Sequence, residues 1–433
     1  MHYFINFKNY SQASINLFSN FTLLIGKNGS GKSNLIEGVE LLAAIAEGKP
    51  LHEMVDGKSY SPNSYPIRGG IHSCVKFDCD EFSLGFSGSY HFLGSQQPFD
   101  YRVSVSVDPF PRISQEYLTV GKRKIFYAIT DGDRKDGMLD VQFDNFARGG
   151  VKPHRKFYGD RSIMSRYEEL IQANEAGDKG NKLKAVQMVA AIKRYIQSSF
   201  VFDPNPKLMR DYVRAGQNIL LKDGSNISAV LLNIATTETT KKSDTNSIEN
   251  ILKIVKQVPE EPFADFEFIE TRQHDTIFAI RSGDRVVDAR LISDGTLRVL
   301  AVITALESIP RGSRVVIEEF DNGLHPSRAE LLISAIREIV KRRQLNILLS
   351  THNPASLNSL DNDWLKNVHV CHWDELNNTS KLTKLLEIPK VDSLLESGNL
   401  GDLVTKSIFE KHLQPQFTEE KKAKALKWLE TLK

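Results

Sequence analysis

The sequence predicts an α/β fold, with a mixed or parallel core sheet, a flanking antiparallel sheet and a short helical-hairpin insertion. Three observations predict it. Near the start, an apolar run, Phe21-Thr22-Leu23-Leu24-Ile25, passes through the glycine-rich loop Gly26 to Ser33 into helical spacing from Asn34 to Ile45. From Cys74 to Ile129 apolar residues recur with period two, the signature of short half-buried strands. Beyond residue 290, buried-strand and helix patterns alternate at the spacing of a parallel sheet.

In chain order, His2 to Phe7 and Ala13 to Phe18 alternate as strands, whereas Phe21 to Ile25 is continuously apolar and predicts a central strand buried on both faces. Gly48 to Gly70 is polar and rich in Pro and Gly, and reads as loop. The period-two stretch is broken by turns such as Asp108-Pro109 and Gly121-Lys122. Ser162 to Glu175 and Lys182 to Ser198 have helical spacing around Gly177-Asp178-Lys179-Gly180, which predicts a helical hairpin. We expect it to project as a contact surface. Ile227 to Ile234 predicts a helix, Thr236 to Ser247 a Thr/Ser/Lys-rich loop, and Phe266 to Ile269 with Thr276 to Ile280 a hairpin. A helix from Leu297, a strand at Val315 to Ile317, a helix from Ala329 to Val340 and a strand from Leu345 to Ser350 follow, and Thr418 to Leu432 reads as an amphipathic helix. The expected division is an N-terminal lobe (1–135), a helical insertion (136–265), a C-terminal lobe (266–400) and a helical tail (401–433).

The loop Gly26-Lys27-Asn28-Gly29-Ser30-Gly31-Lys32-Ser33 has the arrangement a nucleoside triphosphate needs. Its glycines let successive N–H groups turn toward phosphate oxygens, and the helix opening at Asn34 adds partial positive charge. Lys32 is then expected to reach the β and γ phosphates and the Ser33 hydroxyl to ligate Mg²⁺. Far along the chain, Val315-Val316-Ile317 ends in Glu318-Glu319, a strand tip with two carboxylates. Glu318 is assigned to the metal and Glu319 to the attacking water as general base. Ser350-Thr351-His352 closes the next apolar strand, where His352 can hydrogen-bond a γ-phosphate. Ser293-Asp294-Gly295 opens a helix and forms a second anion site, with Ser293, Asp294 and Gly295 as its contacts. Two phosphate sites in one chain fit a head-to-tail dimer, each copy capping the ATP held by the other.

Composition excludes several classes. At 433 residues and 40% apolar content the chain can bury two or three packed units. No apolar run approaches the ~20 residues that cross a bilayer, and the first residues lack a basic, then apolar, leader, so the expectation is a cytoplasmic protein without membrane contact. Cys74, Cys79 and Cys371 have no metal-ligand or disulfide spacing and read as small core residues. A net charge of +2 neither supports nor excludes nucleic acid.

Together these stretches resemble ABC-type ATPases of the SMC, RecF and OLD kind. The matching pieces are Asn6 to Tyr10, Gly26 to Ser33, Ile67-Arg68-Gly69-Gly70, Asp223 to Asn226, Leu291 to Arg298, Glu318 to Pro326 and Ser350 to Pro354. The resemblance implies an ABC-type P-loop ATPase head that closes as an ATP-sandwich dimer. It further implies Asp321 to Pro326 as the loop that follows the catalytic carboxylate, His352 as the switch histidine and Arg68 as a phosphate contact. Three departures stand out: Glu318 occupies the usual Asp position, Phe320 the usual Pro, and no Q-loop glutamine is evident. OLD-like proteins continue into a nuclease domain, for which little sequence remains after the last motif. The expected activity is therefore ATP hydrolysis with Mg²⁺ that regulates a separately encoded effector, such as a nuclease, in anti-phage defence, as in Septu-like two-gene systems. The alternatives are a RecF-like DNA-binding repair ATPase and an ATP-binding scaffold with little turnover.

Overall fold

The computed structural model describes residues 1–17, 19–55, 65–130, 137–241, 247–257, 263–360 and 362–413. They form two compact units, one of Met1–Asn16, Gly31–Ser199 and Trp373–Leu382, the other of Leu17–Ser30, Phe200–His372 and Thr383–Lys433.

The first unit is built on an eight-stranded antiparallel sheet. From one edge it runs His154–Tyr158, Met138–Phe143, Arg123–Thr130, Arg112–Val120, Ser95–Ser106, Glu81–Phe92, His2–Phe7 and Tyr10–Ile15. The period-two stretch thus makes most of this sheet, and the two N-terminal strands complete it rather than joining the core sheet. Phe4, Phe7, Phe82, Phe86 and Tyr101 point inward and are wholly buried. Against them lies the helix that follows the glycine loop, Lys32–Glu47, through Leu35, Ile36, Val39, Leu42 and Ile45. Gly38 allows this close approach, because a Cβ there would stand 2.4 Å from the Phe4 ring.

The helical hairpin is present as Ile163–Gln172 and Lys179–Gln197, but it is no free projection. Tyr167, Leu170, Met188 and Ile192 are buried, and the longer arm packs on the Lys32–Glu47 helix. The apolar face expected to meet a partner is spent on the unit's own core. The Gly48–Gly70 stretch is less irregular than predicted. It holds a 3₁₀ turn at Leu51–Glu53 and a short parallel pair, Met54–Val55 with Tyr65–Pro66, while 56–64 lie outside the described residues.

In the second unit the strand Phe21–Ile25 is buried at every position. It sits inside the sheet order Ser199–Phe202, Arg314–Ile317, Asn346–Thr351, Phe21–Ile25, Val368–Asp374, Thr379–Lys384. Arg314–Ile317, Asn346–Thr351, Phe21–Ile25 and Val368–Asp374 are mutually parallel, as the alternating strand and helix pattern predicted. The last two strands form a hairpin whose base belongs to this unit and whose tip, Trp373–Leu382, belongs to the first. The hairpin Asp265–Glu270/Asp275–Ser282 and the helices Ile227–Lys241, Ser247–Gln257 and Asp294–Ser308 share its apolar core. The helix begun at Ile227 continues to Lys241, through residues read as loop. Within it the Thr236 hydroxyl donates to the Leu232 carbonyl at 2.7 Å, one turn back, so that hydroxyl is satisfied inside the helix rather than in a turn. Residues 242–246, and the amphipathic stretch predicted at Thr418 to Leu432, lie outside the described residues. Among the described residues no helix is long and apolar enough to cross a membrane.

Candidate nucleotide-binding site

Parallel strands leave their carboxyl ends on one edge, where α/β proteins collect ligands. In the second unit the register pairs Ile317 with Leu349, Leu349 with Leu23, and Thr351 with Ile25. The residues just past these strands, Glu318 and Glu319, His352, and Gly26, therefore share that edge.

Glu319 is held there by its backbone as much as by its side chain. Its φ is +45°, a left-handed conformation uncommon for a residue with a Cβ and found where the surroundings over-determine it. Its N–H donates to the Ser350 hydroxyl at 3.0 Å, and its carbonyl accepts from the Asn322 N–H at 3.0 Å and from the Arg298 guanidinium at 3.4 Å. The Asn322 amide donates to the carboxylate at 3.0 Å, and His352 Nδ1 stands 3.6 Å from the other carboxylate oxygen. Glu318 is half-buried, and its N–H donates to the Phe202 carbonyl of the neighbouring strand at 3.2 Å. Asp203, next in the chain, is pushed above its ordinary pKa by burial, with Glu319 adding to the rise against the nearby Arg298 and Lys222.

Asp321 faces inward, not outward. It is buried and accepts from the Thr351 hydroxyl at 2.6 Å and from that of Ser356. Burial raises its pKa although both hydroxyls favour the charged form. It therefore ties the carboxylate loop to the end of the histidine strand.

The glycine loop belongs to this unit as far as Ser30. Gly26 has φ +147°, and a Cβ there would come within 2.3 Å of the Cys371 carbonyl. Lys27, Asn28 and Gly29 are exposed, and a Cβ at Gly29 would meet nothing within 4 Å. Ser30 is buried, with its N–H donating to the Lys27 carbonyl. The loop is thus tight at its base and open at its crown.

From Gly31 onward the loop belongs to the first unit. Gly31, at φ +114°, precedes the first helical residue, Lys32, and Tyr10, Asn9 and Ser380 pack too near for any side chain there. Lys32 is 7% exposed and Ser33 half-buried, both in the helix's first turn. Asn34 accepts from Arg68 at 3.1 Å and donates to Asn9 at 2.8 Å, and Asn9 donates on to Ser380 at 2.6 Å. Arg68 is itself 63% exposed and paired with Glu37, which also receives Lys8.

Ser293 and Asp294 are exposed at the start of the helix Asp294–Ser308. Ser293 is its N-cap, accepting from the Thr296 N–H at 3.2 Å. Asp294 pairs with Arg210 at 2.7 Å, and Arg210 also donates to the Ile292 carbonyl at 2.6 Å, which pins the turn from outside. A Cβ on Gly295 would lie 3.3 Å from Leu324, so the turn packs on the loop after Glu319.

The residues present fit a nucleoside triphosphate with Mg²⁺. The loop needs glycine at Gly26 and Gly31, opens at Gly29, and ends on a helix N-terminus of 16 residues carrying Lys32 and Ser33. No group of three or more metal-ligating side chains occurs among the described residues. Mg²⁺ does not require one, since it takes one or two protein oxygens together with phosphates and waters. Sequence reasoning missed Glu37, Asn322, Ser350, Arg210 and Asp203. Asn322 and Ser350 lay inside stretches already singled out but without a role of their own; Arg210 and Asp203 reach the strand ends through the fold, with no local signal.

The family model described as "AAA domain, putative AbiEii toxin, Type IV TA system" matches residues 21–358. No curated protein matches the chain. Among solved structures, an SMC head bound to the C-winged helix domain of ScpA is 12% identical, with a TM-score of 0.47 over 88% of this chain and 95% of that one. An SMC head with an extended coiled coil from Pyrococcus furiosus, bound to the C-terminal domain of ScpA, is 13% identical, with a TM-score of 0.45 over 92% and 98%. The SMC head domain from Thermotoga maritima is 14% identical, with a TM-score of 0.38 over 88% and 97%. Its P-loop, its two strand-end motifs and the match over residues 21–358 make this chain a member of that AAA-domain family.

Proposed function

We propose that the protein binds and hydrolyses ATP, that two copies close head to tail around the nucleotide, and that this cycle regulates a separately encoded effector, a nuclease, in defence against phage. One observation carries the catalytic part: Glu319 is fixed in a left-handed conformation at a strand tip, with His352 opposite its carboxylate. A carboxylate held in place at the strand ends where α/β proteins collect ligands can serve as a general base. In this reading the glycine loop and Lys32 bind the phosphates, and Ser33 and Glu318 hold Mg²⁺, which neutralises phosphate charge when bound. Glu319 takes a proton from the attacking water on its carboxylate, and Asn322 and Ser350 keep it oriented. Ser293, Asp294 and Gly295 of the second copy complete the pocket, a reading supported by the exposure of Ser293 and Asp294. The effector role rests on resemblance, supported by a family description that names a toxin–antitoxin system.

Replacing Glu319 by Gln tests the core of the proposal. An ATPase of this kind loses phosphate release and accumulates as an ATP-bound dimer, seen by light scattering, while Lys32→Ala prevents that dimer. A second reading, a scaffold with little turnover, is favoured by Glu318 where the family usually has Asp. On that reading Glu319→Gln changes neither quantity. For the effector, purification together with products of neighbouring genes should recover a partner, and a solitary gene would count against it.

A further inference from the structure

The first unit carries a second basic hollow, remote in sequence from the glycine loop. The tip of the Glu81–Phe92/Ser95–Ser106 hairpin, the turn at Gly121-Lys122, the end of Met138–Phe143 and Lys152 line an open hollow of about 970 Å³. Lys122, Arg123, Lys124 and Lys152 line it against a single acidic side chain, Asp144. Four cations facing one carboxylate leave a surplus of positive charge.

Two of these cations are built in place. Asp144, its side chain 4% exposed, accepts from Lys152 at 2.7 Å, from the Phe146 N–H at 2.8 Å and from Arg123. Burial would raise its pKa, but these donors bring it below the ordinary value, so the carboxylate stays charged and holds both cations at the rim. Arg123 also lies over the Phe146 ring, 5.3 Å from its centroid. Lys122 is exposed on the turn, and Lys124, exposed at the start of the next strand, has its ammonium over the Tyr127 ring, 5.2 Å from the centroid. Phe92, Val120 and Phe143 make an apolar floor, and Gln97 and Gln142 also line the hollow, with their amide nitrogens on Ser95 at 2.7 Å and His154 at 3.2 Å and their amide oxygens toward the same space.

Preorganised cations select an anion, and phosphate suits Arg and Lys together. The apolar floor and side-chain amides ask for more than a bare anion. The volume lies at the upper end of the range for small-molecule pockets, roughly 300–1,000 Å³. A nucleic-acid track would instead run as a continuous basic stripe, whereas these four cations are confined to one turn and the lysine beside it. We propose that this hollow is a binding site for a nucleoside phosphate, separate from the glycine loop. It does not rest on the ATPase reading, since none of its residues belongs to that site.

The test is titration calorimetry of the full chain with the four 5′-mononucleotides, inorganic phosphate and a short single-stranded oligonucleotide. Four proteins are compared: wild type, Lys32→Ala, Lys122→Glu with Lys124→Glu, and Lys122→Ala with Lys124→Ala. At least one mononucleotide should bind wild type and Lys32→Ala alike, at least tenfold more weakly to the charge-reversed protein, and more tightly than inorganic phosphate. Lys122→Ala with Lys124→Ala, which alters only exposed side chains, should weaken binding in the same direction. Four outcomes would overturn the proposal: no mononucleotide binding, binding abolished by Lys32→Ala, binding indifferent to the turn lysines, or oligonucleotide binding at this turn without mononucleotide binding.

Discussion

His352 Nδ1 and the Glu319 carboxylate face each other at 3.6 Å across the ends of two parallel strands, one residue past Thr351 on one strand and two past Ile317 on the other. Glu319 leaves the strand through a left-handed turn, which ends the alternation that sets strand side chains above or below the sheet. His352→Ala should therefore leave nucleotide binding nearly unchanged and lower kcat by roughly a hundredfold, the usual cost of removing one preorganised polar group from a reacting centre. Steady-state phosphate release gives kcat and KM separately. A rise in KM at constant kcat would make His352 a binding group instead.

Arg68 is held by Glu37 and Asn34, both on the helix that begins at Lys32. The guanidinium is mostly exposed, so its pair with Glu37 contributes no more than ~1 kcal/mol to stability. Arg68→Ala should leave the denaturation midpoint almost unmoved. If the guanidinium also contacts phosphate, ATP affinity should fall about tenfold, the worth of one charge-assisted hydrogen bond. Equilibrium binding on the same preparation separates the two effects, and an unchanged Kd would confine Arg68 to the surface pair.

Glu116 caps a helix from another element. Its carboxylate accepts the N–H groups of Ile163 and Met164 at 2.7 and 3.0 Å, the Ser162 hydroxyl at 2.7 Å and the Tyr101 hydroxyl at 3.1 Å. Two of the orphan donors at the start of the hairpin are thereby satisfied from the sheet. In Glu116→Gln one oxygen becomes an NH₂ that confronts an N–H, which should cost about 1–3 kcal/mol in chemical denaturation. Burial raises the Glu116 pKa, so the folded state binds more protons than the unfolded one between the ordinary carboxyl pKa and the raised value. The carboxyl's contribution then declines as pH rises through that window and is larger below it. Wild type should lose stability relative to Glu116→Gln as pH rises from 4.5, and parallel pH profiles would contradict this.

The same residue shows what the sequence could and could not disclose. The strand Arg112–Val120 buries Ile113, Glu116, Leu118 and Val120: its alternation slips by one at the bulge opposite Ser104 and Val105, after which Glu116 keeps phase with Leu118 and Val120 and points inward to meet the hairpin. Read linearly, a charged residue amid alternation is a solvent-facing position, and nothing local marks its partner 46 to 48 residues away. The hairpin's own packing was hidden for the same reason, because its apolar stripe is equally consistent with a partner or a core. By contrast, the strand Phe21–Ile25 was legible as central, since an unbroken apolar run before a glycine loop has few other uses. The edge shared by Gly26, Glu319 and His352 followed from three such runs in parallel. Arg210, Asp203 and Glu37 were not legible, because lone charged residues acquire neighbours only through tertiary folding.

Gly26 joins the central strand to the phosphate loop where the backbone passes the Cys371 carbonyl of the adjacent strand. A methyl group there would sit at 2.3 Å from a backbone oxygen that sheet pairing prevents from moving, and the φ of +147° disfavours any side chain besides. Gly29 shares a positive φ, +80°, but opens to empty space. Gly26→Ala should accordingly cost more than the ~1–3 kcal/mol expected of backbone strain alone, because the clash adds to it. Gly29→Ala should stay within that range. Chemical denaturation of both variants gives the order, and nucleotide titration shows whether the loop still forms. Equal losses at the two positions would mean that the adjacent strand yields, and that the tightness of the loop's base does not set its shape.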